Sequence, residues 1–224
     1  MKTQSNKLES GIRKDCYSFF SFEEIVAVYY KTGAKALNAE LDFFRELAKA
    51  DNIDASIKAQ ALLTGSHERY LNFRHSSVHK NNAINALVKA QPWTNSYEDF
   101  EGLYADVCKI LTDIPYIKDL VKYDVAKRIG VMLTPQTLPE KYVYIHNGTK
   151  LGATRLLGRA LDINASQLKR DEFIPYFGDM SALHIENILC IMKDYFITGG
   201  IEPCENKKFS PCYFNYDKWL LTNK

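Results

Sequence analysis

The chain has 224 residues, 46% of them hydrophobic and 25% charged, which suits one large soluble domain or two small ones whose core needs no disulfide or metal staple. Mean hydropathy is −0.28, and no uninterrupted apolar run approaches the roughly 18 residues of a membrane span. A formal net charge of +2 excludes a uniformly cationic chain that coats polyanions and an acidic solvating tail alike.

The start, Met1-Lys2-Thr3-Gln4-Ser5-Asn6-Lys7, is polar and lacks a signal-peptide core, so a cytoplasmic location away from membranes is expected. Ser21-Phe22-Glu23-Glu24 reads as a capping box, and the apolar stripe Ile25, Val26, Val28, Tyr29 and Tyr30 follows it. Leu37, Leu41, Phe44, Leu47 and Ala48 predict a second helix over 36–50. Asp54 caps a third over 55–63, with Gly65 as its stop. A fourth covers 67–75, and a fifth 81–89 ends before Pro92. Ser96 opens a helix over 97–111 whose first-turn acids, Glu98 and Asp99, complement its dipole.

The next predicted helix runs over 117–133 and ends at Thr134-Pro135. Lys141-Tyr142-Val143-Tyr144-Ile145 has strand-like residues without an obvious partner, and reads equally as an extended link or the first turn of a helix. A shorter helix covers 150–161, and Ser181 starts a long apolar one over 183–196, ended by Gly199-Gly200. The fold class is therefore all-α: a single helical domain or two packed lobes, about 1–95 with the C-terminal tail and about 96–200. Cys16, Cys108, Cys190, Cys204 and Cys212 are scattered and odd in number, as reduced core thiols are. His75 and His79 share a helical spacing but lack a third ligand, so no metal and no cofactor is expected.

Charge is segregated along the chain. From Ser96 to Asp113 five acids face Lys109 alone, whereas Lys141, Lys150, Arg155, Arg159, Lys169 and Arg170 face only Asp162 between 141 and 170. A basic surface on a nearly neutral protein is what binding to a phosphate backbone needs, although a solvated helix face produces the same count. Within 146–161, Ala153, Leu156, Leu157, Ala160 and Leu161 form the buried stripe, while Gly148, Gly152, Arg155 and Arg159 lie on another face. Glycine costs roughly 1 kcal/mol against alanine inside a helix, so Gly152 marks a close approach, either of a packed helix or of nucleic acid. For DNA, the N–H groups at Gly148-Thr149 would meet a phosphate, with Lys150, Arg155 and Arg159 flanking the strand.

The stretch Leu111-Thr112-Asp113-Ile114-Pro115-Tyr116, then Tyr123-Asp124-Val125-Ala126-Lys127-Arg128-Ile129-Gly130, resembles a degenerate helix-hairpin-helix element. Val143-Tyr144-Ile145-His146-Asn147-Gly148-Thr149, running into Arg155-Leu156-Leu157-Gly158, is similar to the segment that follows that hairpin in helix-hairpin-helix DNA glycosylases. The resemblance covers about residues 111–161 and implies a two-lobed helical fold, duplex DNA as partner and excision of a modified base flipped from the helix. Three departures accompany it. Asp113-Ile114-Pro115 replaces the usual Gly-x-Gly, and proline removes a backbone donor. The family's catalytic aspartate, counted back from Arg155, falls on His146 or Asn147, neither a carboxylate. Its lysine falls near Leu120, between Lys118 and Lys122.

The candidate catalytic residues are therefore His146 as a general base, Asp124 as the nearest carboxylate, and Lys122. Asp124 also reads as a simple helix-face partner of Lys127 or Arg128. Three functions follow: a DNA glycosylase, the same fold binding DNA or protein without catalysis, or an unrelated helical module whose basic face meets an acidic partner.

Overall fold

The computed structural model describes residues 21–50, 53–64 and 77–201, together with the backbone of 5–6, 14–16 and 208–209. In chain order these are β1 (Ser5–Asn6), β2 (Lys14–Cys16), α1 (Phe22–Lys31), α2 (Gly33–Lys49), α3 (Ala55–Leu62), α4 (Ser77–Ala90), α5 (Phe100–Leu111), α6 (Asp119–Met132), β3 (Tyr142–Tyr144), α7 (Asn147–Leu157), β4 (Gln167–Lys169), α8 (Ile174–Phe177), α9 (Ala182–Ile191), β5 (Phe196–Ile197), β6 (Gly200–Ile201) and β7 (Lys208–Phe209). The molecule is mainly helical, as the periodicity predicts. Gly65 and the helix expected over 67–75 lie outside the described residues.

Caps set several helix starts. The Glu24 N–H donates to Ser21 Oγ at 3.2 Å, and the Ser56 N–H donates to Asp54 Oδ1 at 2.6 Å, as the sequence suggests. α5 starts three residues later than its pattern implies, because Asp99 rather than Ser96 is the cap, accepting from the Gly102 N–H at 3.0 Å. An anionic acceptor at that position also opposes the positive end of the helix dipole, which an exposed serine cannot do as strongly. The strand-like run after Lys141 does find a partner: Tyr142, Val143 and Tyr144 pair antiparallel with Lys169, Leu168 and Gln167. That partner lies across α7 in sequence, so no local pattern announces it. Gly199-Gly200 turns a two-residue β5–β6 pair instead of ending a long helix, and α9 already stops at Ile191.

Two compact units divide the chain. The first takes α1, the start of α2 through Ala36, and everything described from Glu140 onward; the second holds Leu37–Pro139. The division therefore falls inside α2 and after Pro139, not near residue 95 as the lobe boundary expected from sequence had it. The core of the first unit joins Ile25, Val28 and Tyr29 of α1 to Val143, Ala153, Leu156, Phe173, Ile185, Ile188, Leu189 and Phe196. In the second, α5 packs on α6 and α3 on α4, burying Leu62, Leu87, Leu103, Val107, Leu111, Val125 and Ile129. The α5–α6 connection makes two tight turns, with the Ile114 N–H donating to the Leu111 carbonyl and the Ile117 N–H to the Ile114 carbonyl. Tyr116 there takes φ +67°, a left-handed conformation that glycine fills more easily.

Candidate functional site

α7 carries most of the residues singled out for DNA contact. His146 precedes it as N-cap with extended backbone, its carbonyl accepting from the Lys150 N–H at 2.6 Å. Gly158 ends the helix in the left-handed conformation at φ +61°, a common helix stop.

The buried side of α7 differs from the exposed ridge expected of it. Gly148, Thr149 and Gly152 are all buried. A Cβ on Gly152 would collide with the Leu189 carbonyl oxygen of α9, and one on Gly148 would lie 2.7 Å from Cys190 Sγ. Of the two close approaches open to Gly152, helix on helix is the one present. Nor does the first turn of α7 present free N–H groups to solvent at Thr149. Thr149 is fully buried, and its hydroxyl donates to Glu186 Oε1 at 2.7 Å, so a carboxylate of the same unit already engages this side chain. The positive end of the helix dipole makes that position favourable for an anion.

The cations of α7 are engaged as well. Lys150 Nζ donates to the Asp162 and Ile163 carbonyls at 2.7 and 2.9 Å, pinning the turn that leads to β4. Arg155 Nη1 donates to the Lys193 carbonyl and to Asp194 Oδ1, both at 2.8 Å. Arg159 Nη2 pairs with Glu172 Oε2. The two arginine side chains nevertheless stay 39% and 55% exposed. Lys141 and Lys169 are exposed and adjacent in space, since Arg170 N donates to the Lys141 carbonyl beside the β3–β4 pair. Sequence reasoning missed Asp194 and Glu172. They stand outside the basic window, and only the packing of α9 and the 170–173 turn brings them back to α7.

The three residues weighed for catalysis are divided between the two units. His146 is buried and belongs to the first unit, whereas Asp124 and Lys122 stand on α6 in the second. Lys127 Nζ donates to Asp124 Oδ1 at 3.2 Å, the helix-face pairing that the spacing suggested. Lys122 Nζ lies 3.6 Å from Asp119 Oδ1. Asp124 thus sits in a buried charge cluster that the sequence did not reveal. Lys127 also lies 3.8 Å from Glu40, and Arg128 Nε donates to the same Glu40 Oε1 at 2.7 Å. Burial pushes the Glu40 carboxyl upward, but Lys127 and Arg128 outweigh it and leave the group below its ordinary value.

A second unpredicted polar pair lies in the first unit. The buried Tyr29 hydroxyl is 2.8 Å from His184 Nδ1, and the two rings meet edge on at 5.8 Å. Burial raises the Tyr29 phenol far above its usual range, with the Glu186 charge adding to the shift. Burial also depresses His184. An imidazole lowered in the folded state takes its proton later than in the unfolded chain. As pH falls below about 6.5 the unfolded state binds more protons, and stability is lost. Unfolding midpoints should therefore drop between pH 7.5 and 5.5, and His184→Gln should flatten that drop; an equal slope in the variant would assign it elsewhere.

His79 is half-buried with its ring 5.3 Å from Tyr116, and His75 lies outside the described residues. Cys108 and Cys190 are half-buried thiols that form no disulfide among the described residues. Among the described residues no group of three or more His, Cys, Asp or Glu could hold a metal ion, and no helix is long and apolar enough to cross a membrane. No protein-family model, curated protein or solved structure matches the chain.

Proposed function

We propose that the first unit binds duplex DNA without excising a base, using the solvent edge of α7 and the adjoining β3–β4 pair. The observation that carries this reading is the state of Arg155 and Arg159. Both hold carboxylates in ion pairs that remain open to water, and such pairs contribute little to stability. A phosphate can therefore take the place of either carboxylate at small cost. Lys141 and Lys169 extend the same basic sequence segment. The contact set is narrower than the sequence implied, since Gly148, Thr149 and Gly152 serve packing and Lys150 holds a turn. The non-catalytic form is preferred because the position matching the family's aspartate is a buried histidine, and Asp124 is tied to Lys127.

Binding of a short labelled duplex, followed by fluorescence anisotropy across about 50–200 mM salt, tests the reading, because each neutralised phosphate contributes about −0.9 to the slope of log K against log salt. Arg155→Ala and Arg159→Ala should each weaken binding and flatten the slope by about that amount. Unchanged affinity in both removes the proposed face. Release of a free base from a damaged duplex would restore the excision reading.

A protein partner is the second reading, and Ile163 favours it. This side chain is 86% exposed on a turn closed by the Ala165 N–H to the Asp162 carbonyl and by the Asn164 N–H to Asp162 Oδ1. An apolar knob on a pinned turn fits a partner's pocket, and the uncharged Ile163→Ser would abolish such an interaction while leaving salt-dependent DNA binding unchanged.

A further inference from the structure

We propose that Asp194 and Glu172 act as built-in phosphate mimics that hold Arg155 and Arg159 in reserve and set how strong a polyanion must be to displace them. The inference rests on the DNA-binding reading above and adds its regulation. Between 141 and 170 the sequence carries six bases against one acid, yet the fold returns Asp194 and Glu172 to the two arginines of α7. Each carboxylate meets its guanidinium end on. Arg155 uses Nη1 for both of its contacts, to Asp194 and to the Lys193 carbonyl, which leaves Nε and Nη2 for a second anion. Arg159 uses Nη2.

The carboxylates are themselves held in place. Asp194 sits in the first turn of the short 3-10 helix Lys193–Tyr195 that follows α9. Glu172 accepts the Lys169 N–H through Oε1 at 3.3 Å, so Oε2 is turned to Arg159. An arriving strand must therefore replace an oriented anion and tolerate its charge nearby. An isolated carboxylate cannot do so to advantage, because it offers the arginine no more than Asp194 or Glu172 already does. Duplex DNA, with one charge per about 1.7 Å of axis and counterions to release, can. Asp194 and Glu172 are positioning and specificity residues in this scheme. The arginines make the contact.

Asp194→Asn and Glu172→Gln keep the size and an acceptor oxygen while removing the charge. Duplex binding at about 100 mM salt should tighten about threefold in each and about tenfold in the double variant, with the salt slope little changed because each arginine meets the same phosphate in wild type and variant. Asp179→Asn, which neutralises an exposed acid of the same unit that has no arginine partner among the described residues, is the control and should change affinity by less than either. If wild-type protein binds and Arg155→Ala weakens it, but Asp194→Asn and Glu172→Gln gain no more than Asp179→Asn, the reserve mechanism is wrong and DNA binding stands. If neither wild type nor the double variant binds at about 50 mM salt, the DNA reading fails and takes this inference with it.

Discussion

Arg128→Ala should cost about 3–5 kcal/mol of folding stability, the loss typical when one member of a buried ion pair is removed and the other is left behind. Arg128 is only 3% exposed and holds three elements at once. Its Nε reaches Glu40 of α2 at 2.7 Å, its Nη1 reaches the Leu62 carbonyl at the end of α3 at 2.6 Å, and its guanidinium lies 5.3 Å from the centre of the Phe44 ring. Truncation strands the Glu40 carboxylate beside Lys127 alone and leaves the last carbonyl of α3 without this donor. The pH dependence follows from sign. Glu40 lies below its ordinary value in the native fold, so its contribution is present at neutral pH and fades as acid protonates it. Without Arg128 the carboxyl rises, and the gap between variant and wild type should narrow as pH approaches 4. Urea unfolding at neutral and acid pH measures both effects. A loss below about 1 kcal/mol would mean that water, rather than Arg128, satisfies Glu40.

Gly152→Ala gives the sharper contrast, because two readings of one residue predict opposite signs. On a solvent-facing ridge, alanine would improve helix propensity and stabilise the protein by roughly 1 kcal/mol. Against α9, the new methyl strikes the Leu189 carbonyl oxygen, a backbone atom that cannot swing away. Separating two packed helices to admit one methyl typically costs 1–3 kcal/mol, so net destabilisation is expected. Thermal denaturation of the purified variant decides the sign. The fraction that remains folded should bind duplex DNA as wild type does, since Gly152 touches α9 and not the proposed contact edge.

Helices with local signals were readable from sequence. Ser21, Asp54 and Ser181 announce the starts of α1, α3 and α9, and each accepts a backbone N–H in the way its side chain allows. Long-range partners were not. The β3–β4 pair closes over more than twenty residues, and the acids that meet Arg155 and Arg159 lie 39 and 13 positions away. A regional charge count therefore described a stretch of chain and missed what folding places beside it. Gly152 was legible as a close approach, but a single sequence carries no mark of whether the approaching backbone belongs to α9 or to another molecule. The charges of the second unit were hidden for the same reason: Glu40 lies 88 residues before Arg128.

The first unit draws on both ends of the described chain, with α1 and Ala34 before residue 36 and the rest of their core cluster after residue 140. During synthesis, the apolar face of Ile25, Val28 and Tyr29 must leave the ribosome well before Phe173, Ile185 and Phe196 are made to cover it. At about 5–20 residues per second, that delay amounts to roughly ten to thirty seconds. Over that interval the nascent amphipathic helix lacks most of its native surface, and a chaperone that recognises exposed apolar stripes would find its substrate there.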